Sequence, residues 1–249
     1  MENSKIGWTT HTWNPWWGCH KIAAECKECY IKRYLSMAGH DPFDGPIKTS
    51  RPSWRKPHGW NKKAAGATER PRVFTCSMSD FFHDGADTWR AEAWETIRAC
   101  KNLNFLILSK RLDLIESAPS KLPMDWGKGY DNVWLGATAG CMKTARKTLP
   151  ALAKIPARLK FISVEPLLER VDFAEYWPTI DWVISGAERA GKSTRRNMEL
   201  AWIEDLDRQC REAGVPHFFK QAYEGGKLSD SPHLNGEQVQ EFPALAWAV

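Results

Sequence analysis

The chain has 249 residues, enough for one large domain or two small ones with a sizeable core. Lysine and arginine number 35 against 30 aspartates and glutamates, and a formal charge of +5 does not by itself announce a nucleic-acid binder. With 43% hydrophobic and 26% charged residues, and only short uncharged apolar runs, the composition excludes a disordered chain and a membrane-spanning helix.

Met1-Glu2-Asn3-Ser4-Lys5 lacks a basic-then-apolar secretory pattern, so a cytoplasmic protein with reduced cysteines is expected. A first strand is predicted over 8–13 and a helix over 27–37. Between them lies Cys19-x6-Cys26-x2-Cys29, three of the seven cysteines. Cys76, Cys100, Cys141 and Cys210 stand singly in apolar or helical contexts and read as small buried hydrophobes. A crowd of thiols in a reducing compartment reads as a metal or redox site. Three thiolates can hold three irons of a four-iron cluster and leave one corner open, whereas an electron carrier closes its cluster with a fourth cysteine. A structural zinc with His20 or His11 as fourth ligand fits the same spacing, as do unligated thiols. Four of the fourteen tryptophans (Trp8, Trp13, Trp16 and Trp17) precede Cys19 and are suited to exclude water from it.

From 39 to 72 no strand or long helix is predicted, and prolines, glycines and cations dominate. Arg51, Trp54, Arg55, Lys56, Trp60, Lys62 and Lys63 interleave cations with aromatics, a composition that suits a phosphate backbone and stacked bases as well as a solvated surface loop. The segment reads as a basic insertion at about 39–72 in a single domain spanning 1–249.

After residue 70 the chain becomes rhythmic. Apolar, β-branched runs fall at 72–76, 104–108, 132–136, 159–164, 181–185 and 216–219, with helical spacing over 88–100, 141–153 and 198–213. Asp87 offers a helix N-cap, and Gly214 followed by Pro216 a stop. Such alternation implies a parallel sheet with right-handed crossovers. The expected fold is α/β, a partial or complete β/α barrel of six to eight strands, with an open doubly wound sheet as the alternative.

In such a barrel the chemistry lies at the C-terminal ends of the strands. Those ends read Ser77-Met78-Ser79-Asp80, Ser109-Lys110-Arg111, Ala137-Thr138, Ser163-Val164-Glu165, Ser185-Gly186-Ala187-Glu188 and Lys220-Gln221. Strands end where polar loops begin, yet six polar ends in succession favour a shared polar cavity. Residues 186–193 also match G-x-x-x-x-G-K-S, the phosphate loop of nucleotide hydrolases. Thr194-Arg195-Arg196-Asn197 is a poor start for the buried helix that motif requires, and no strand ending in a magnesium-binding Asp follows.

The run Ile6-Gly7-Trp8-Thr9, Thr12-Trp13-Asn14-Pro15, Gly18-Cys19 and Cys26-Lys27-Glu28-Cys29-Tyr30 resembles a phage and bacterial three-cysteine family of unknown function. That family looks like a divergent branch of the radical S-adenosylmethionine enzymes. The resemblance continues in order through Ser77-Met78-Ser79-Asp80-Phe81-Phe82-His83, Leu108-Ser109-Lys110-Arg111, Ser163-Val164-Glu165-Pro166-Leu167 and Val215-Pro216-His217-Phe218-Phe219-Lys220-Gln221. Two departures stand out. The cysteine spacing is six then two where three then two is commonest, and the loop after the sixth strand lacks the family's Gly-Gly-Glu-Ser-Gly pattern. The second departure itself creates the phosphate-loop look-alike.

The resemblance implies a [4Fe-4S] cluster on Cys19, Cys26 and Cys29, with the open iron chelated by S-adenosylmethionine. An electron from an external one-electron reductant then cleaves the sulfonium to a 5′-deoxyadenosyl radical. It further implies that Ser77, Ser79 and Asp80 hold the methionyl ammonium, that Ser163 and Glu165 bind ribose hydroxyls, and that Gly186 admits adenine. Lys110, Arg111, Glu188 and Lys220 then face substrate, although each cation also suits a salt bridge at the barrel mouth and Asp80 a helix cap. The basic segment and the family's phage occurrence point to a nucleotide or DNA base, with rearrangement of an amino-acid-modified thymidine as the concrete reaction. A zinc-stabilised nucleic-acid-binding protein and a phosphate-loop hydrolase are the rivals.

Overall fold

The computed structural model describes residues 1–36, 39 and 41–244. Met37 and His40, which fall within the predicted helix and insertion, lie outside the described residues. In chain order the elements begin with β1 (His11–Trp13), β2 (Trp16–Trp17), α1 (Ile31–Ser36), β3 (Ile47–Lys48), α2 (Arg51–Lys63), β4 (Arg72–Thr75) and α3 (Asp87–Ala99). They continue with β5 (Asn104–Ser109), α4 (Asp113–Ser117), β6 (Val133–Thr138), α5 (Met142–Lys154), β7 (Leu159–Val164), β8 (Trp182–Gly186), α6 (Leu200–Ala213) and β9 (His217–Glu224). Three short strands close the chain: β10 (Lys227–Ser229), β11 (His233–Leu234) and β12 (Glu237–Gln238).

Eight strands form one sheet in the order β1-β4-β5-β6-β7-β8-β9-β10. Every neighbouring pair from β1 to β9 is parallel, and β10 folds back on β9 as an antiparallel hairpin. The sheet curls into a half-barrel, as the repeat of strand and helix predicts. No helix among the described residues is long and apolar enough to cross a membrane.

Side chains alternate between the two faces of each strand, so the core divides in two. Val73, Phe105, Ile107, Val133, Leu135, Ile162 and Val183 pack against Trp94 and Ile97 of α3, Leu149 and Leu152 of α5, and Ile203 and Leu206 of α6. The opposite, concave face carries Trp8, Phe74, Leu106, Trp134, Phe161, Trp182 and Phe218 as an aromatic plug. Trp182 meets the edges of Trp8, Trp134 and Phe218 at ring separations of 6.0 to 6.3 Å. Two and four residues beyond the plug, the same periodicity turns Thr138, Ser163, Glu165, Gly186 and Lys220 to the concave face at its C-terminal end. Pattern alone thus makes a dry floor beneath a polar mouth.

The segment 39–72 corrects an expectation: it contains β3 and the 13-residue helix α2. Pro52 occupies the first turn, where its missing N–H is no loss, while Pro57 and Gly59 disguise the interior. The signal lies in Trp54, Pro57 and Trp60 at threefold spacing, all buried on one side of the helix. Trp54 meets Trp13 edge-on at 6.1 Å, and Trp60 stacks on His11 at 4.5 Å.

Gly136 is the tightest point of the concave floor, where a Cβ would lie 2.4 Å from the Phe161 ring. Gly136→Ala is expected to destabilise the fold by about 1–3 kcal/mol, the usual penalty of overpacking. Denaturant unfolding should show it as a lowered midpoint with unchanged slope.

Candidate metal and cofactor site

Gly18 turns the chain out of β2 at φ +89°, where a Cβ would stand 2.2 Å from the Gly45 carbonyl oxygen. The loop that follows carries Cys19, Cys26 and Cys29, all free and half-buried. It crosses the C-terminal ends of the strands and is tied to them one after another. At β4, Gly18 N–H donates to Met78 O (2.9 Å), the Ser79 hydroxyl donates to Gly18 O, and the Tyr30 hydroxyl donates to Ser77 O. Asn14 accepts from Met78 N–H (2.8 Å) and donates to Ser77 Oγ (3.0 Å).

At β5 the tie is ionic. Arg111 and Asp80, both buried, pair at 3.2 Å. Arg111 extends Nη2 to His20 O (2.9 Å) and Nη1 to Cys19 Sγ (3.4 Å). Asp80 also accepts from the Ser109 hydroxyl (2.7 Å), Lys110 N–H (3.0 Å) and Phe82 N–H (3.0 Å). At β6 the buried Glu25 carboxylate accepts from Thr144 Oγ1 (2.8 Å) in the first turn of α5, where the helix dipole favours an anion. Gly140 lets the loop come this close, since a Cβ there would meet Pro166 O at 2.2 Å and Glu25 Cγ at 2.9 Å. Beyond β8, Arg196 pairs with the buried Glu188 and donates to Ala24 O (2.9 Å).

Several expected roles change accordingly. Asp80 and the Ser79 hydroxyl are occupied by Arg111 and Gly18, which removes them as holders of a methionyl ammonium; the Ser77 hydroxyl is shared with Asn14. Arg111 and Glu188 brace the cysteine loop instead of facing substrate. Lys220 and Glu165 do face the concave mouth together with Ser163 and Gly186, but as an ion pair with each other. Lys110 is half-buried on the Cys29 side of the loop. Trp54 and Trp60 are core residues, and burial takes them out of reach of bases. Arg51, Arg55, Lys56, Lys62 and Lys63 are exposed along α2, about 16 Å from first to last at 1.5 Å per residue. Lys63 pairs with Glu2. The phosphate-loop reading fails on geometry: residues 191–194 form a turn, and no helix starts before Leu200.

The zinc alternative also loses its fourth ligand. His11 stacks on Trp60 and accepts from Asn3 N–H, while His20 Nδ1 lies 3.0 Å from His83 Nε2. Burial, with help from Arg111 and His20, lowers the His83 pKa to about 4 and keeps that imidazole neutral. Among the described residues no three His, Cys, Asp or Glu side chains converge on one ion-sized position, as thiolates about 2.3 Å from a single zinc must. A four-iron cluster takes its cysteines at separate corners. Burial pushes the Cys19 thiol up to about 11 and raises Cys29, and the Arg111 guanidinium opposes the shift at Cys19. A cation and N–H donor on a ligand sulfur fits a three-thiolate centre of net negative charge. One polar atom on the concave face is left over: Thr138 Oγ1, beside Ser163 in the sheet register, is buried without a partner. The sequence placed it at a strand end but gave no reason to single it out.

A parallel half-barrel with a three-thiol loop over its strand ends is the architecture of the radical S-adenosylmethionine fold, and solved structures agree on the fold. The chain is similar to a cysteine-to-serine mutant of spore photoproduct lyase, with 15% identity, 91% of this chain and 68% of that chain covered, and a TM-score of 0.50. It is also similar to spore photoproduct lyase complexed with dinucleoside spore photoproduct, with 13% identity, the same coverage and a TM-score of 0.49. No curated protein sequence matches. The chain belongs to the family described as protein of unknown function DUF5131, whose profile matches residues 3–243.

Arg111→Gln leaves Asp80 buried without its cation and Cys19 without its donor. The expected outcome, read by iron and sulfide analysis after anaerobic reconstitution, is a several-fold loss of bound metal. Arg111→Lys, which keeps the charge but not the fork, should recover part of it.

Proposed function

We propose that the protein is a radical S-adenosylmethionine enzyme that acts on a nucleotide or a DNA base. The observation that carries this reading is the cysteine loop, which offers three thiols and no fourth protein ligand at the mouth of a β/α half-barrel. A [4Fe-4S] cluster bound there, reduced by an external one-electron donor, supplies the electron that releases a 5′-deoxyadenosyl radical from S-adenosylmethionine.

The chain's own residues contribute binding and exclusion. Ser163, Thr138 and the carboxylate of Glu165 offer acceptors and donors to a ribose diol, and Gly186 admits a flat base because no side chain stands there. Lys220, released from Glu165 when that carboxylate takes a hydroxyl, is placed to meet a carboxylate or phosphate on the substrate. The aromatic plug closes the floor and keeps water from reaching a radical from below. Around the rim Lys110, Lys192 and Arg195, the last stacked 3.6 Å over the Tyr223 ring, give a polyanion its contacts. Within this reading the reaction is rearrangement of an amino-acid-bearing thymidine. Hydrogen loss from an amino-acid α-carbon leaves a radical stabilised by amine and carboxylate, and a duplex target must first be flipped out of the stack.

Anaerobic reconstitution tests the proposal. The wild type is expected to turn brown, with broad absorption near about 400 nm from iron–thiolate charge transfer, and to release 5′-deoxyadenosine from S-adenosylmethionine under reduction. Cys26→Ala should lose both properties while keeping its far-ultraviolet circular dichroism. A colourless wild type, or a brown one that never cleaves S-adenosylmethionine with any modified DNA, would reject the reading.

A further inference from the structure

Nine large hydrophobic side chains are exposed among the described residues, and five of them, Trp17, Ile22, Tyr30, Tyr34 and Ile47, fall within 31 positions around the three cysteines. Trp17 and Ile47 are cross-strand partners in the β2–β3 ribbon just before Cys19. Ile22 lies between Cys19 and Cys26, and Tyr30 follows Cys29, with Tyr34 edge-on to it at 6.4 Å. An apolar collar of this kind next to partly open thiols is unusual for a surface that only meets water.

Its charge is also one-sided. Lys21, Lys27, Lys32 and Arg33 are exposed on the same loop and on α1, against Glu28, Asp41 and Asp44; Glu25 is buried and held by Thr144. The collar flanks the β1 edge of the sheet, whereas Ser163, Glu165 and Lys220 belong to β7–β9 on the other side, which has its own rim cations. The half-barrel therefore has two approaches to the cysteines.

We infer that the collar is the docking face for an acidic one-electron carrier protein, which delivers the electron that the proposed function requires. The inference rests on the reading of Cys19, Cys26 and Cys29 as cluster ligands. The transfer moves one electron: the carrier is oxidised by one, the metal centre is reduced by one, and no bond or proton moves. Small apolar faces ringed by charge suit such brief encounters, in which complementary charge sets the on-rate more than the affinity. Ile22 and Ile47 offer no flat ring on which a base can stack, which favours a protein over a nucleic-acid strand here.

The test uses the reconstituted full chain and follows cluster bleaching in anaerobic stopped flow with two reductants, a photoreduced acidic flavodoxin and dithionite. Ile47→Glu and Arg33→Glu are each expected to slow reduction by flavodoxin about tenfold at low salt and to flatten its salt dependence. Dithionite, too small to need a docking face, should reduce both variants at the wild-type rate. Unchanged flavodoxin rates, or equal slowing with both reductants, would overturn the inference. So would variants that keep the flavodoxin rate but lose retention on a single-stranded oligonucleotide, because the collar would then belong to nucleic acid. A wild type that binds no iron would instead reject the cluster itself, a failure distinguishable from the others because dithionite would find nothing to bleach.

Discussion

The site depends on a flexible polar loop being held still across the ends of strands that are far apart in sequence. Residues 18–30 contain only a single 3-10 turn over Ala24–Cys26, so almost none of their rigidity is their own. It comes from Ser79, Arg111, Thr144 and Arg196, each rooted in a different β/α unit, reaching the loop through hydrogen bonds or charge. Two of these contacts involve buried ion pairs, Arg111 with Asp80 and Arg196 with Glu188. Buried pairs contribute little net stability compared with apolar packing, but removing one partner leaves an uncompensated charge. They are therefore better understood as devices for position: the loop has one place where every carboxylate and guanidinium finds its partner.

That logic also explains why Arg111 touches a cysteine sulfur. A thiol drawn into the protein is disfavoured as a thiolate, and burial raises the Cys19 pKa accordingly. Metal binding must displace that proton. A guanidinium fixed from behind by Asp80 offsets part of the cost without occupying a ligand position, since Arg111 donates to the sulfur and accepts nothing. The side of the sulfur that faces the mouth is left for metal.

How legible this was in the sequence follows from the range of each interaction. The strands at 159–164 and 181–185 and the helices at 88–100 and 198–213 agree with β7, β8, α3 and α6 to within two residues, because hydrophobic period and caps are local signals. Helix α2 was hidden by Pro57 and Gly59, although Trp54 and Trp60 already held its buried face. The three cysteines could be picked out by crowding alone. Asp80, Arg111 and Glu188 were recognisable as residues of the mouth, but what they do is decided by partners 8 to 92 positions away, such as Arg196 and Cys19. A strand-end carboxylate looks the same in sequence whether it waits for a ligand or already holds an arginine.

The same distinction settles the one constellation that looks most like a catalytic machine. The Ser185 hydroxyl lies 2.7 Å from His217 Nε2, and His217 Nδ1 lies 2.8 Å from Asp207 Oδ1, the relay of a hydrolytic triad. Yet the three residues are 0%, 1% and 2% exposed, and they stand on the helix side of the sheet, where β8 and β9 meet α6. No reacting carbonyl can approach Ser185 there, and a nucleophile out of reach of substrate has no chemistry to perform. What the relay does is mechanical. It fastens α6 to the two strands at the point where their register shifts between Ser185 and Gly186, and that shift turns Gly186 and Lys220 toward the concave mouth. Hydrogen-bond geometry that would signify catalysis on one face of this sheet signifies alignment on the other, and burial decides which.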